Sequence, residues 1–189
     1  MSLKILIIEG IATSGKSTMI ELLQKKLSDK KIKVYGEPDT HIPIMEQPAE
    51  LHLDFFKSLL DTSLNTEADY IIFDRLYLTQ AFRAKADISK YEDIENVLLQ
   101  HQTLTVFLKV DEKTTAKRVQ TAAEHREQSW VEYIKTKGKT IEEIARYYVD
   151  QQRSQIELLA TSKVNNRVFD TTEHEYDKIA DEILSIFKL

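Results

Sequence analysis

The chain has no cysteine, and only 4 glycines, 3 prolines and 1 tryptophan among its 189 residues. Without cysteine there is no disulfide, no thiol nucleophile and no cysteine-bound metal. The expected compartment is the cytoplasm. Long apolar runs are also missing. Ile5-Leu6-Ile7-Ile8 and Tyr70-Ile71-Ile72-Phe73 are only of strand length, so neither a membrane span nor a membrane partner is expected. The first run ends in Glu9 and passes into a glycine loop, which is not the pattern of a signal peptide. An excess of positive charge is lacking as well: 26 Lys and Arg stand against 31 Asp and Glu, a formal net charge of −5. That excludes a nucleic-acid polymer held by bulk charge, while a small anion held by a few local donors stays open. Hydrophobic residues at 42% and charged residues at 30% are ordinary for a globular protein. The length suits a single domain over residues 1–189.

Because glycine is scarce, its placement is informative. Two glycines fall in Gly10-Ile11-Ala12-Thr13-Ser14-Gly15-Lys16-Ser17, which fits the phosphate-binding pattern G-x-x-x-x-G-K-[ST]. The preceding apolar run reads as a strand. Met19, Ile20, Leu23 and Leu27 then recur at helical spacing. Strand, loop and helix together bring backbone N–H groups to a helix N-terminus, where the dipole also favours an anion. Gly10, Thr13, Ser14, Gly15, Lys16, Ser17 and Thr18 are therefore candidate contacts to ATP. Lys16 reaches for the outer phosphates, and the Ser17 hydroxyl is a ligand for Mg²⁺.

Further strands are expected at Ile32–Tyr35, Tyr70–Phe73, Leu104–Val110 and Arg167–Phe169. All three prolines lie between Gly36 and Pro48, which predicts an ordered, non-helical loop. Residues 49–64 read as a helix with Leu51, Phe55, Leu59 and Leu60 on one side. Asp111 is placed to cap the next helix. Thr140 with Glu143, and Thr172 with Glu175, have the spacing of capping boxes before the last two helices. Short apolar strands alternating with helices predict a parallel sheet covered on both faces. Ligands of such sheets bind at the carboxyl ends of the strands.

The unusual residues fall just after strands, on that rim. Glu37, before the rigid Pro38, is either a solvated loop carboxylate or a general base. Asp74 is a candidate Mg²⁺ contact, directly or through water. Arg75 offers a fork for phosphate, or ties the rim together by pairing with Asp74. Lys117-Arg118 lie on a helix, and His125-Arg126 follow a linker, Thr121–Glu124. Arg118 first and Arg126 second are candidate lid arginines, with a lid at about 120–130. Asp170 and Thr171 are either one wall of an adenine pocket or part of a plain strand-to-helix turn. Trp130 and the pair Tyr147-Tyr148 read as core.

Taken together, Glu9-Gly10 with Gly15-Lys16-Ser17-Thr18, Glu37-Pro38, Asp74-Arg75 and Arg118 resemble, in order, the motifs of thymidylate kinases and deoxynucleoside kinases. The resemblance implies a three-layer P-loop fold with strand order 2-3-1-4-5, and transfer of the ATP γ-phosphoryl with Mg²⁺. Lys16, Glu37, Asp74, Arg75 and Arg118 are then the catalytic set. The acceptor is a nucleoside monophosphate such as dTMP, or a deoxynucleoside with Glu37 as base. Pairing into a homodimer through helices is also implied. The chain departs from the family pattern in three ways. Gly36 stands where thymidylate kinases usually place an arginine, the segment from Pro38 to Asp74 is short, and the lid has few arginines. These departures keep a regulatory ATPase without a small acceptor as the reading of another class. No Asn-Lys-x-Asp element follows the fourth strand, which argues against a GTPase.

Overall fold

A computed structural model describes residues 3–187. Its centre is a five-stranded, all-parallel sheet: β1 (Lys4–Glu9), β2 (Ile32–Tyr35), β3 (Tyr70–Asp74), β4 (Gln102–Lys109) and β5 (Asn166–Asp170), in the order β2-β3-β1-β4-β5. This is the predicted order. β1 and β3 are continuous apolar runs because helices cover both their faces. Alternate residues divide between the two sides. Ile5, Ile7, Ile71 and Phe73 pack with Phe56, Leu60, Ile94 and Leu98, whereas Leu6, Ile8, Ile72 and Val106 pack with Met19, Leu23, Ile179 and Ile183. The helices supplying these side chains are α1 (Lys16–Lys26), α3 (His52–Leu64), α5 (Glu92–Leu98) and α9 (Tyr176–Ile186). Between them in the chain lie α2 (Glu37–Thr40), α4 (Leu78–Arg83), α6 (Glu112–His125), α7 (Gln128–Lys135) and α8 (Ile141–Thr161). A smaller apolar cluster of Ile11, Val119, Ile134, Ile144 and Tyr148 joins the loop after β1 to α6, α7 and α8. Among the described residues no helix is long and apolar enough to cross a membrane.

Local expectations hold at two caps. The Asp111 carboxylate accepts from Lys113 N at 2.7 Å, and Thr140 Oγ1 accepts from Glu143 N at 3.2 Å. Four others change. The proline-rich stretch is ordered but not free of helix: Glu37–Thr40 is a helical turn and Ile42–Ile44 a 3₁₀ turn. Pro38 and Pro43 sit in first turns, where the missing N–H has no partner to lose. In α3 the buried face is His52, Phe56, Leu60 and Ser63, while Leu51 is half exposed. Leu51 belongs to a separate 3₁₀ turn, so its phase does not carry into the helix. Residues 121–124 are not a linker: α6 runs on through His125 and the chain turns extended at Arg126, since Ala-Ala-Glu favours helix. Finally, Thr172 does not cap α9, which starts four residues later at Tyr176. Its hydroxyl accepts from Asp111 N at 3.0 Å instead.

Candidate active site

The loop after β1 has the backbone its glycines allow. Gly10 has φ +143° and Gly15 φ +91°, both outside the range L-residues favour. A Cβ on Gly10 would stand 2.6 Å from Leu108 O, and one on Gly15 would collide with the Tyr176 hydroxyl. Gly15 is the N-cap of α1 and no side chain caps the helix, so first-turn amides remain available to an anion. Thr13 Oγ1 and Ser14 Oγ are buried without a hydrogen-bond partner. Lys16 folds back so that its ammonium donates to Ile11 O at 3.3 Å. Burial, followed by the nearby Arg75 charge, lowers its pKa to about 8. A cation kept in so poorly solvated a place gains most from an arriving polyanion.

Opposite the loop, at the end of β3, Asp74 and Arg75 behave differently. The main-chain oxygen of Asp74 accepts from Thr40 Oγ1 at 2.6 Å, but its Oδ1 is buried and unpartnered. Burial raises its pKa, against the opposing pull of Lys16 and Arg75. Arg75 has φ +67° and is nearly buried. Its side chain pairs with Glu37, not Asp74: Nε donates to Glu37 Oε1 at 3.0 Å, and Nη1 donates to Gly10 O at 2.7 Å and Thr79 Oγ1 at 3.2 Å. Beneath it lies Glu9, fully buried, accepting from Leu76 N and Thr79 Oγ1 at 3.0 Å each. Burial raises the Glu9 pKa, and Arg75 is the main opposing influence. Burial alone would also raise Glu37, yet Arg75 and Lys16 outweigh it and hold this carboxyl at about 2. Glu37 is therefore ionised at every physiological pH, and its side chain stays 42% exposed.

The lid arginines separate. Arg118 Nη1 donates to Thr13 O at 3.2 Å and Nη2 donates to the carbonyls of Thr171 and Thr172. It braces the phosphate loop against the turn after β5. Thr171 does likewise, its buried hydroxyl donating toward Ser14 O at 3.1 Å and Lys109 O at 3.0 Å. Asp170 accepts from Thr172 N at 2.8 Å and is exposed. Arg126 instead lies over the Trp130 ring, 4.7 Å from its centroid, and the two face the cavity.

That cavity, of about 680 Å³, collects Lys16, Ser17, Glu37, Asp74, Arg75 and Arg126. Ser17 and Asp74 fit Mg²⁺ by donor chemistry, a hydroxyl and an unpartnered carboxylate oxygen; no group of three acids or histidines competes among the described residues. Trp130 and Tyr147, read as core from the sequence, are partly buried against the third apolar cluster and also line the cavity; Tyr148 is buried in that cluster and lines it too. The sequence reading also passed over His41, Thr79 and Arg83's partner Tyr133. His41 Nδ1 bonds Gln80 Nε2 at 3.0 Å, and burial with the Arg75 and Arg83 charges lowers its pKa to about 3, leaving it neutral. A signal for two of them existed: His41 and Thr79 stand four residues after Glu37 and Arg75, the spacing of one helical face.

No protein-family model matches the chain, and no curated protein matches it in sequence. Solved structures do. The YorR protein of Bacillus subtilis, crystallised with phosphorylated GDP, aligns at 21% identity and TM-score 0.68, covering 98% of this chain and 96% of that one. Deoxyadenosine kinase of M. mycoides, with bound dATP, aligns at 19% identity and TM-score 0.53 over 95% and 98%. Thymidylate kinase of Ehrlichia chaffeensis aligns at 13% identity and TM-score 0.59 over 100% of both. The chain has the three-layer fold of the P-loop nucleoside and nucleotide kinases.

Proposed function

We propose that the protein is an ATP- and Mg²⁺-dependent kinase that phosphorylates a nucleoside monophosphate. One observation carries the choice of acceptor. Lys16, Arg75, Arg83 and Arg126 face a single cavity against two carboxylates, Glu37 and Asp74, in a chain whose net charge is −5. Such a local reversal of sign suits two phosphate-bearing ligands better than one. The likeness to nucleotide kinases supports the reading at the level of fold.

The phosphate loop would hold the donor by its amides and by Lys16. Ser17 and Asp74 would hold Mg²⁺, which supplies charge neutralisation on the donor's outer oxygens. Glu37 and Glu9 keep the Arg75 guanidinium aimed along the cavity wall, and its Nη2 forms no bond to a described residue. That nitrogen is the group left for the acceptor phosphate. Arg126 approaches from α7's side and adds a second cation. The pair fits the rule that an anionic acceptor requires more than one charge-assisted contact. Trp130, Tyr147 and Tyr148 exclude water around the transfer.

A second reading keeps the same donor half and takes a deoxynucleoside. It is favoured by Glu37, ionised and exposed to the cavity, which could accept the proton of a 5′-hydroxyl. Acceptor-dependent ADP release, measured with a panel of nucleosides and their monophosphates, separates the two. Stimulation by monophosphates supports the proposal; stimulation by nucleosides alone replaces it with the second reading. Slow hydrolysis indifferent to every acceptor would return the protein to the regulatory ATPases.

A further inference from the structure

Beside the reaction cavity lies a second chamber, more open to solvent, of about 860 Å³. Met45, Arg83, Tyr133 and Tyr147 line both, so these four side chains form the partition. At its middle Arg83 Nη2 donates to the Tyr133 hydroxyl, joining α4 to α7. One hydrogen bond between two flexible partners is a weak barrier. The partition is reached from Arg75 through α4, whose last residue is Arg83. In the kinase reading above, an acceptor with its reacting oxygen beside Arg75 extends along the cavity, and its base is the part that meets this partition.

The chemistry of the chamber limits what could enter it. Three cations, Arg83, Lys85 and Lys137, are matched by three carboxylates, Glu46, Asp87 and Glu157. The surplus of positive charge that marks the reaction cavity ends at the partition, so the chamber is not built for another phosphate. Its surface is mostly apolar, from Met45, Phe82, Ala86, Leu158 and the tyrosine rings, with charged groups around it. Phe82 meets Tyr147 edge-on with centroids 6.0 Å apart, and the Lys137 ammonium lies 4.9 Å from the Tyr133 ring and 5.3 Å from the Tyr147 ring. Such walls suit a flat or polar-ended uncharged group.

We infer that the second chamber receives an uncharged substituent on the acceptor's base, so that the protein takes base-modified nucleoside monophosphates as well as plain ones. This rests on the kinase reading above. An unmodified nucleotide would leave the chamber to water. A substituted one would part Arg83 from Tyr133 and occupy the space behind them.

The test is direct binding by titration calorimetry on the full chain. Plain nucleoside monophosphates are compared with the same nucleotides bearing an uncharged amide-ended arm, on carbon 5 of a pyrimidine or on the exocyclic nitrogen of adenine. The expected result is a Kd for one armed nucleotide within about threefold of its plain counterpart. Ala86→Trp, at a partly buried position that lines the chamber and not the reaction cavity, should weaken the armed ligand by about tenfold or more and spare the plain one. Ser154→Phe, on the α8 wall, carries the same comparison if Ala86→Trp does not fold. If plain nucleotides bind and every armed one is rejected, or if both variants weaken the two ligands equally, the chamber is no subsite. If no plain nucleotide binds at all, the kinase reading itself fails, and this inference with it.

Discussion

Around Gly10–Ser17 the groups facing the cavity are main-chain amides and one ammonium. Around Arg83 and Tyr133 they are side chains brought together from the end of α2, from α4, α7 and α8. The first region is set within eight residues, and its geometry follows from two glycines that tolerate positive φ and a helix that starts on cue. The second has no local rule behind it. Its members lie up to about a hundred positions apart and meet only because the helices pack as they do. Amides at a helix N-terminus hold phosphate in many unrelated proteins, so a donor end of this kind is generic. In the proposed kinase, discrimination among acceptors falls to the second region.

The widest gap between the two regions should show in Lys16. Replacing it with Met is expected to lower turnover by roughly a thousandfold, since a charge-stabilising donor is lost where charge develops. The same change should raise the stability of the ligand-free protein by on the order of 2–3 kcal/mol at pH 7. The sign follows from the pKa of about 8 in the folded state. Below that value the folded chain carries a charge that the unfolded chain bears at less cost. Stability then rises as pH climbs from about 8 toward the ordinary lysine range, where only the unfolded state still holds the proton. Activity assays and thermal melts on one preparation check both halves; an unchanged or lower melting temperature would remove the strain from the donor region.

Arg75 stands between the two regions, and its loss should be felt in stability as well as in acceptor binding. Arg75→Ala leaves Glu9 buried without its opposing charge and Glu37 without its partner, at a cost of roughly 3–5 kcal/mol in urea unfolding. Glu37→Gln bears on the acceptor end alone. It should slow transfer to a nucleoside by about a hundredfold, as removal of a general base does, and transfer to a monophosphate by far less. Equal losses with both acceptors would show Glu37 to act only by orienting Arg75. The smallest effect belongs to a residue outside both regions: Thr140→Ala removes the cap of α8 and should cost about 1 kcal/mol of stability with kcat and KM unaltered.

Much of the fold could be read in advance, and for local reasons. The continuous apolar runs of β1 and β3, the phosphate loop and the Asp111 and Thr140 caps each depend on a few neighbouring residues. Errors arose where a competing partner lay far along the chain. Thr172 has the spacing of a cap, yet its hydroxyl goes to Asp111 N, sixty-one positions away. Of the two readings of Arg75, a fork for phosphate or a partner for Asp74, the pairing does not form: from a left-handed backbone its side chain reaches Glu37. Arg118, read as the arginine that closes on phosphate, donates to three carbonyls of two loops, while Arg126, on Trp130, lines the cavity.

From the order of its residues alone, the chain specified a parallel sheet, a helix aimed at an anion, and carboxylates and arginines at the ends of successive strands. Those properties rest on dihedral preference and periodicity, which act over a few residues. Packing decided which arginines face the cavity, that Glu9 lies beneath Arg75, and that two cavities meet at Arg83 and Tyr133. These outcomes depend on which distant groups compete for one donor or one charge, and that competition is settled only when the helices close on the sheet.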